Sequence, residues 1–390
     1  MMGEHSIEFS IFVIFTSAAV FATLALYARQ AMIVAYILLG LLLGPWGIAL
    51  ISDAKLISEI SNIGIIFLLY LLGLDLLPQQ LWKMFREAVI VTLVSSITFF
   101  LLGFIVGIVF NFDYFVSALI GAIMMFSSTI IGLKLLPTSI LHHKHTGQII
   151  ISVLLIQDLI AIIVLLLLQG YDKGGNHIVD IVNQILYLPF LVTVVYLFER
   201  FILFKLIQRF EQIYEYIFLL AIAWCLGVAE FAHYIGLSHE IGAFIAGVTL
   251  ASSPIALFIT ERLKPLRDFF LIIFFFSLGA SFNIGIIGDI YLPAIVLALL
   301  AVVLKPLVFS FLLVFEGEKK SISKESGIRL GQISEFSLLI SVLALNSGFI
   351  EENIASLIQL SVLISFVLSS YIIVLKYPTP ISSNDSLRRD

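Results

Sequence analysis

The chain has 390 residues, of which 61% are hydrophobic and 12% charged, and its mean hydropathy is +1.14. This composition lies far outside the range of soluble globular proteins, so it excludes a soluble enzyme and a basic nucleic-acid-binding protein. The net charge of −5 says little about partners, because most of such a surface faces lipid.

Apolar runs long enough to cross a bilayer recur along the whole chain. They predict thirteen transmembrane helices, at about residues 7–27, 32–50, 61–77, 88–110, 114–136, 148–168, 178–204, 214–235, 239–257, 267–283, 289–315, 326–346 and 352–376. With the N-terminus outside, 18 of the 21 lysines and arginines lie at or near cytoplasmic ends, and only Lys55 and Lys173 lie outside. This bias predicts a multi-pass protein of the inner or plasma membrane with its C-terminus in the cytoplasm.

The connections between the predicted helices are too short to fold as soluble domains. We therefore expect one transmembrane domain over residues 1–377, followed by a polar and flexible cytoplasmic tail over residues 378–390. No nucleotide-binding loop, zinc-ligand spacing or nucleophile motif occurs, which indicates a protein that is not an enzyme and that needs no cofactor.

The fifth and twelfth predicted helices each carry polar residues at mid-depth. These residues are Ser127, Ser128, Thr129, Gly331, Gln332, Ser334 and Glu335. Such clusters suit a locally unwound helix, although hydroxyls in an intact helix can also bond to carbonyls one turn earlier. Because the two helices are seven apart in order, they cross the membrane in opposite directions. Matching interruptions in opposite directions predict an inverted repeat with a binding site near the midplane.

Asp158 is the one charged residue in the apolar stretch 147–169. A charge at this depth is costly unless water, a cation or a counter-charge reaches it. Gln157 beside it is polar, whereas Leu154, Ala161 and Ile162 on its helical face are apolar. Whatever satisfies Asp158 must therefore come from other helices, from water or from an ion.

Lys305 lies within the helix that precedes the second interruption and is followed by Pro306, where a kink is expected. A lysine at this depth can neutralise Asp158, or release its proton when a cation arrives. A purely structural ion pair is the alternative. Glu335 has two interpretations, as part of the transport site or as a balance for the partial charges of the half-helix ends.

Several segments of the chain resemble the membrane domain of Kef-type potassium/proton antiporters, of the monovalent cation:proton antiporter-2 family. They include LLIQDLIAI around Gln157 and Asp158, FSSTII, IGAFIAGVTLASSP, FFFSLGASFN and RLGQISEFSLLIS, and the resemblance runs from about residue 30 to 375. It implies a fold of the sodium/proton-antiporter type with two crossed discontinuous helices, a homodimer and elevator-like alternating access.

The resemblance also implies roles for individual residues. Asp158 would exchange a cation for a proton, with Gln157 and the hydroxyls of 127–129 as ligands and Lys305 as charge partner. Gln332, Ser334 and Glu335 would support the site. No metal is expected beyond the transported monovalent cation.

The chain departs from glutathione-gated Kef-type proteins at two points. The stretch IALFITERLKPLRDFF is basic on balance where those proteins are acidic, and no nucleotide-binding domain follows within the 390 residues. A regulatory domain or a separate regulatory subunit therefore remains an expected partner outside this sequence.

The sequence thus predicts a secondary transporter that exchanges a monovalent cation, potassium in the first place, for protons at a buried aspartate. A sodium/proton antiporter of the same fold, a gated cation channel lined by Asp158 and a sodium-coupled organic-anion symporter are the alternatives. The symporter would need more basic residues near the crossing than Lys305.

Overall fold

A computed structural model describes residues 7–51, 54–75, 78–137, 145–171, 177–210, 212–251, 253 and 256–379, whose regular secondary structure is helical. The α-helices are α1 (Ile7–Tyr27), α2 (Met32–Leu43), α3 (Ala54–Asp75), α4 (Pro78–Val109), α5 (Tyr114–Met124), α6 (Thr129–Lys134), α7 (His145–Tyr171), α8 (His177–Phe198), α9 (Phe204–Phe210), α10 (Tyr214–Tyr234), α11 (His239–Ala251), α12 (Ala256–Ser281), α13 (Ile287–Leu299), α14 (Lys305–Phe315), α15 (Lys320–Arg329), α16 (Glu335–Asn346) and α17 (Glu352–Lys376). Residues 380–390 of the predicted tail lie outside the described residues.

Among the described residues, six helical segments are long and apolar enough to cross a membrane. They are Glu8–Tyr27, Ala88–Val109, His145–Leu165, Tyr214–Tyr234, Ile284–Phe315 and Glu352–Lys376. Five shorter apolar helices accompany them. The prediction of an all-α polytopic membrane protein is therefore confirmed, whereas the number of thirteen transmembrane helices stays a prediction.

The chain divides into two compact units. The described part of the first unit lies within Ile51–Lys83 and Leu165–Ser277. Its core is a cluster of buried apolar side chains that includes Tyr70, Cys225 and Ala246. Helices α3 and α11 approach each other closely in this core, because Gly73 and Gly247 face the opposite backbone. The indole of Trp224 adds a hydrogen bond from α10 to the carbonyl of Ala246, at 3.1 Å.

The second unit comprises Ile7–Leu50, Met84–Val164 and Leu278–Asp390. It contains both predicted interruptions, and both are present: residues 125–128 are non-helical between α5 and α6, and residues 330–334 are non-helical between α15 and α16. Each non-helical segment lies at or beside the polar cluster from which the interruption was predicted. The two discontinuous helices of the predicted fold are therefore confirmed.

A π-helical segment, Leu300–Leu304, leads into Lys305 at the start of α14. The amide of Lys305 donates to the carbonyl of Leu300, five residues earlier. Pro306 cannot donate to the carbonyl of Val302, so an α-helical bond is missing at this point. The expected irregularity beside Pro306 thus takes the form of a π-bulge, which turns Lys305 into the interior of the second unit, where it is fully buried.

Substitution of Gly247 by valine tests the close approach of α3 and α11. A Cβ atom at this position would lie 2.1 Å from the carbonyl oxygen of Tyr70, so the two backbones would have to separate. Overpacking of this kind costs about 1–3 kcal/mol, and we expect a lower melting temperature for Gly247→Val in detergent.

Gly288→Val is the matched control, because a Cβ there would meet nothing within 4 Å. We expect it to melt like the native protein. Equal melting temperatures for the two variants would contradict the packing of α3 on α11.

Candidate functional site

The two interrupted segments of the second unit are hydrogen-bonded to each other. The bonds run from Ser127 Oγ to Leu330 O at 2.8 Å, from Gln332 Nε2 to Ser128 O at 3.2 Å and from Ser337 Oγ to Ile123 O at 2.8 Å. Gln332, Ser334 and Ser337 are fully buried, as are Ser127 and Ser128. Because no water is expected at this depth, these side chains supply the partners that the unwound backbone needs.

Lys305 joins the two segments from a third helix. Its ammonium donates to the carbonyl of Phe126 at 2.6 Å and to that of Gln332 at 3.1 Å, and it lies 3.5 Å from Ser127 Oγ. It also lies 5.1 Å from the centre of the Phe99 ring, within the range of a cation–π interaction. One buried cation therefore holds one carbonyl from each interruption.

Lys305 does not form a direct ion pair with Asp158 in the described part of the chain. Its hydrogen bonds go to two backbone carbonyls and one hydroxyl. These bonds give the fully buried amino group the hydrogen-bonding partners that it needs in the absence of water. The role of Lys305 as charge partner of Asp158 stays a prediction.

Gln157 braces the first interruption. Its Oε1 atom accepts from the amide of Ser127 at 3.0 Å, and its Nε2 atom donates to the carbonyl of Met125 at 2.9 Å. The side chain thus replaces two bonds that an intact helix would make within itself. Its role as a cation ligand stays a prediction, since both ends of the amide are engaged with backbone here.

Asp158 lies on α7 one residue beyond Gln157 and is 1% exposed. The hydroxyl of Thr129, the first residue of α6, is 3.4 Å from both carboxylate oxygens. Hydroxyl–carboxylate bonds are usually about 2.5–3.0 Å long, so this contact is loose. The carboxylate therefore has capacity left for a proton or a cation.

The other predicted site residues have local roles in the second unit. Ser128 Oγ accepts from the amide of Ile131 at 3.1 Å and so caps the start of α6. Ser334 Oγ caps α16 by accepting from the amide of Phe336, also at 3.1 Å. Glu335 is the first residue of α16, where a negative charge is favourable.

Arg329 is a member of this region that the sequence did not reveal. It is fully buried and ends α15, immediately before the second interruption. Its guanidinium donates to the carbonyl of Leu135 at 3.0 Å and to that of Pro378 at 2.9 Å, and it pairs with Glu325. In the sequence, Arg329 is one of the many cations at predicted cytoplasmic helix ends, where side chains are usually exposed to solvent. Only its position directly before the second interruption could have indicated that it is buried.

Tyr377 packs against the same guanidinium, with the Arg329 carbon 5.7 Å from its ring centre. Burial raises the pKa of the Tyr377 phenol above its ordinary value, and the nearby Glu325 carboxylate raises it further, while Arg329 opposes both. The segment that follows α17 is thus attached to the end of α15 by one arginine.

Metal ligation of the usual kind is not a feature of the described residues. Within them, no group of three or more histidine, cysteine, aspartate and glutamate side chains could hold a metal ion. Two hydrogen-bonded helix interruptions beside one buried carboxylate are an arrangement typical of secondary ion transporters.

The family follows from comparison with known proteins. Residues 12–375 match the family described as sodium/hydrogen exchanger, transmembrane, and the chain therefore belongs to this family. Its fold is similar to that of a solved structure, the sodium proton antiporter MjNhaP1 from Methanocaldococcus jannaschii at pH 8. The two chains are 18% identical, the match covers 93% of this chain and 94% of that one, and the TM-score is 0.71.

These comparisons confirm the predicted fold of the sodium/proton-antiporter type and the predicted class of cation/proton antiporter. The protein is thus a multi-pass membrane transporter. The assignment to the Kef-type branch of such antiporters stays a prediction, as does the role of each site residue.

Replacement of Lys305 by methionine tests its function as a brace. The variant removes the donor of the Phe126 and Gln332 carbonyls, and each buried acceptor left unpaired costs about 1–3 kcal/mol. We expect Lys305→Met to lower the melting temperature of the purified protein, as measured by differential scanning fluorimetry in detergent.

Lys320→Met removes an exposed lysine from the start of α15 and serves as the control, with no expected change. A Lys305→Met protein as stable as this control would refute the bracing role.

Proposed function

We propose that the protein exchanges a monovalent cation for protons at Asp158. The observation that carries the proposal is the environment of this carboxylate: it is buried, it lies beside the interruption between α5 and α6, and its one hydrogen-bonding partner among the described residues is the distant hydroxyl of Thr129. Membership of an exchanger family supports the same activity.

The proposed mechanism is competition for one carboxylate. A proton bound to Asp158 removes the negative charge that holds a cation, and a bound cation disfavours the proton. Thr129 supplies a neutral oxygen that can turn toward either ligand. If the site opens to one side of the membrane at a time, loading one ligand displaces the other and the two movements are coupled without covalent chemistry.

The braces around the site support transport by alternating access. Lys305 and Gln157 bond to the interrupted backbone, and in the proposed mechanism they hold it beside Asp158 while the carboxylate exchanges its ligand. A gated channel is the rival activity. It would let cations pass along their own gradient and would need no exchange of protons at Asp158.

Two cations are candidates. Potassium is implied by the Gln157–Asp158 pair and its resemblance to Kef-type antiporters. Sodium is supported by the name of the matched family and by the solved sodium proton antiporter of similar fold. The amide oxygen of Gln157 bonds to the amide of Ser127, so the pair favours potassium only if this bond opens during transport.

We further infer a homodimer in the inner or plasma membrane with its N-terminus outside, from the Kef-type resemblance and from the positive charges. A nucleotide-binding domain or a regulatory subunit is proposed as a partner on the same resemblance. Cross-linking in native membranes tests the dimer, and cysteine accessibility from either side tests the orientation.

Asp158→Asn tests the proposed site. The amide keeps the size of the side chain but carries no charge and takes up no proton near neutral pH. We expect cation flux driven by an imposed pH gradient, with the membrane potential clamped, to fall to the level of protein-free liposomes. The variant should remain folded.

Asp289→Asn is the matched control, because Asp289 is exposed in the first turn of α13, and it should transport normally. Coupled exchange by Asp158→Asn at the native rate would exclude Asp158 as the site. Cation flux through the native protein that no pH gradient can drive would indicate the channel instead.

The cation is identified by transport assays with K⁺, Na⁺ and Rb⁺ at several pH values. For a potassium exchanger we expect a KM for K⁺ at least about tenfold below that for Na⁺, a difference of ~1.4 kcal/mol, with Rb⁺ close to K⁺. The opposite order would assign the protein to sodium exchange. Because protons compete for the same carboxylate, the KM of the preferred cation should rise as the pH falls.

A further inference from the structure

The helix that brings Thr129 to Asp158 is short. α6 runs from Thr129 to Lys134, six residues in all. The first four amides and the last four carbonyls of an α-helix have no partner inside it, so most backbone groups of such a helix depend on outside partners. A helix of this length is not stable by itself. Its place beside Asp158 is therefore set by the bonds that other elements make to it.

The start of α6 is bonded to the second interruption. The carbonyl of Ser128, directly before α6, accepts from the amide of Gly132 at 3.0 Å and from Gln332 Nε2 at 3.2 Å. The same nitrogen donates to the carbonyl of Arg329 at 3.0 Å, and Gln332 Oε1 accepts from the hydroxyl of Ser369 at 3.1 Å. Gln332 thus connects the first turn of α6 to the end of α15 and to α17.

The end of α6 is bonded to Arg329. Leu135 follows the last residue of α6, and its amide bonds to the carbonyl of Ile131 at 3.3 Å. Its own carbonyl lies past the last turn and accepts from Arg329 Nη1 at 3.0 Å. A cation suits this position, because the carbonyls at the C-terminal end of a helix carry a partial negative charge. Residues 329–332 therefore hold α6 at both ends.

Arg329 is itself fixed in place. Its side chain is fully buried, and each of its three guanidinium nitrogens has an acceptor. Nε and Nη2 bond to one oxygen of Glu325 at 3.1 and 3.0 Å, and Nη2 also donates to the carbonyl of Pro378 at 2.9 Å. The planar guanidinium holds these directions in one rigid fork, which a lysine ammonium does not. A group so constrained imposes its own position on the helix that it bonds.

A glycine lets α6 lie close to both of its neighbours. A Cβ atom added at Gly132 would lie 3.3 Å from Leu154 Cδ1 on α7 and 3.8 Å from the carbonyl oxygen of Arg329. Leu154 precedes Asp158 by one helical turn on α7. α6 therefore lies against the helix of the carboxylate and against the residue that holds its end. A change at Arg329 moves α6 relative to Asp158.

The contact between Thr129 and Asp158 is sensitive to such a movement. At 3.4 Å from each carboxylate oxygen, the hydroxyl is near the upper limit of a hydrogen bond. A small displacement of α6 either completes this bond or breaks it. Among the described residues, Thr129 is the one side chain that bonds to the carboxylate, so the geometry of the site follows the placement of α6.

We propose that Arg329 is a positioning residue for cation binding: by holding the end of α6, it sets the distance between the Thr129 hydroxyl and the Asp158 carboxylate. Like the site itself, this role depends on the exchange at Asp158 proposed above. In the described structure Arg329 donates to neither of these two groups, so it acts through α6. Removal of its bond to Leu135 should therefore weaken cation binding, seen as a higher KM with little change in kcat.

A double-mutant cycle separates this role from a merely structural one. Exchange of K⁺ and of Na⁺ is measured in proteoliposomes under an imposed pH gradient for the native protein, Arg329→Gln, Thr129→Val and the double variant. We expect each single variant to raise the KM of the transported cation at least about threefold, the usual effect of one lost hydrogen bond. The KM of the double variant should rise no further than that of Thr129→Val, because both changes remove the same hydroxyl from the carboxylate.

Further variants keep the test decisive if Arg329→Gln does not fold, as judged by gel filtration. Glu325→Gln/Arg329→Gln removes both charges of the ion pair, so that neither is left buried alone. It is compared with Glu325→Gln, which keeps the bond to Leu135. Arg329→Lys keeps the charge beside Glu325 but lacks the fork, and its KM decides the question if neither glutamine variant of Arg329 folds. Arg200→Gln, at an exposed arginine of the first unit, is the matched control and should have the native KM.

A native KM in a folded variant without the guanidinium would overturn the positioning role, even if its melting temperature falls. Independent effects, in which the KM of the double variant rises by the product of the two single increases, would do the same, as would a native KM in Thr129→Val. Asp158→Asn runs in the same assay. Normal exchange by this variant would overturn the proposed function together with the role of Arg329, whereas an inactive Asp158→Asn beside an unchanged KM in Arg329→Gln would overturn the role of Arg329 alone.

Discussion

The ammonium of Lys305 bonds to a carbonyl of each interrupted helix, and the arrangement of the second unit depends on this one cation. Unwinding a helix inside a membrane exposes backbone groups that cost several kcal/mol each when unpaired. The fully buried side chain of Lys305 pairs with one such carbonyl in each interruption, and the carbonyls in turn satisfy its own donors.

The buried polar residues fall into two groups that differ in how firmly they are hydrogen-bonded. Lys305, Gln157 and Gln332 are occupied by backbone atoms, so their positions are set by the fold. Asp158 has only a loose hydroxyl contact among the described residues. In the exchange that we propose, the bonded side chains keep the geometry of the site, and the carboxylate takes up proton and cation in turn.

Much of this arrangement could be predicted from the sequence, because depth in a membrane can be read from apolar runs. Ser127–Thr129 and Gly331–Glu335 were recognisable as interruptions, and Asp158 as an isolated charge. The partners of Lys305 were not predictable. A carboxylate is the partner that a sequence suggests for a buried lysine, whereas every residue has a backbone carbonyl, so the sequence does not indicate which carbonyls accept its bonds. The burial of Arg329 was missed for a similar reason: its acceptors lie 194 and 49 residues away.

The separation of these partners along the chain has a consequence for biosynthesis. Thr129 is 29 residues from Asp158, whereas the bonds of Lys305 to Phe126 and of Ser127 to Leu330 span 179 and 203 residues. The first interruption is therefore translated close to Gln157 but long before Lys305 and Leu330. Until those residues arrive, the carbonyl of Phe126 and the hydroxyl of Ser127 must find other partners, such as water or the insertion machinery. The unwound site is a late product of folding, formed only when the last third of the chain arrives.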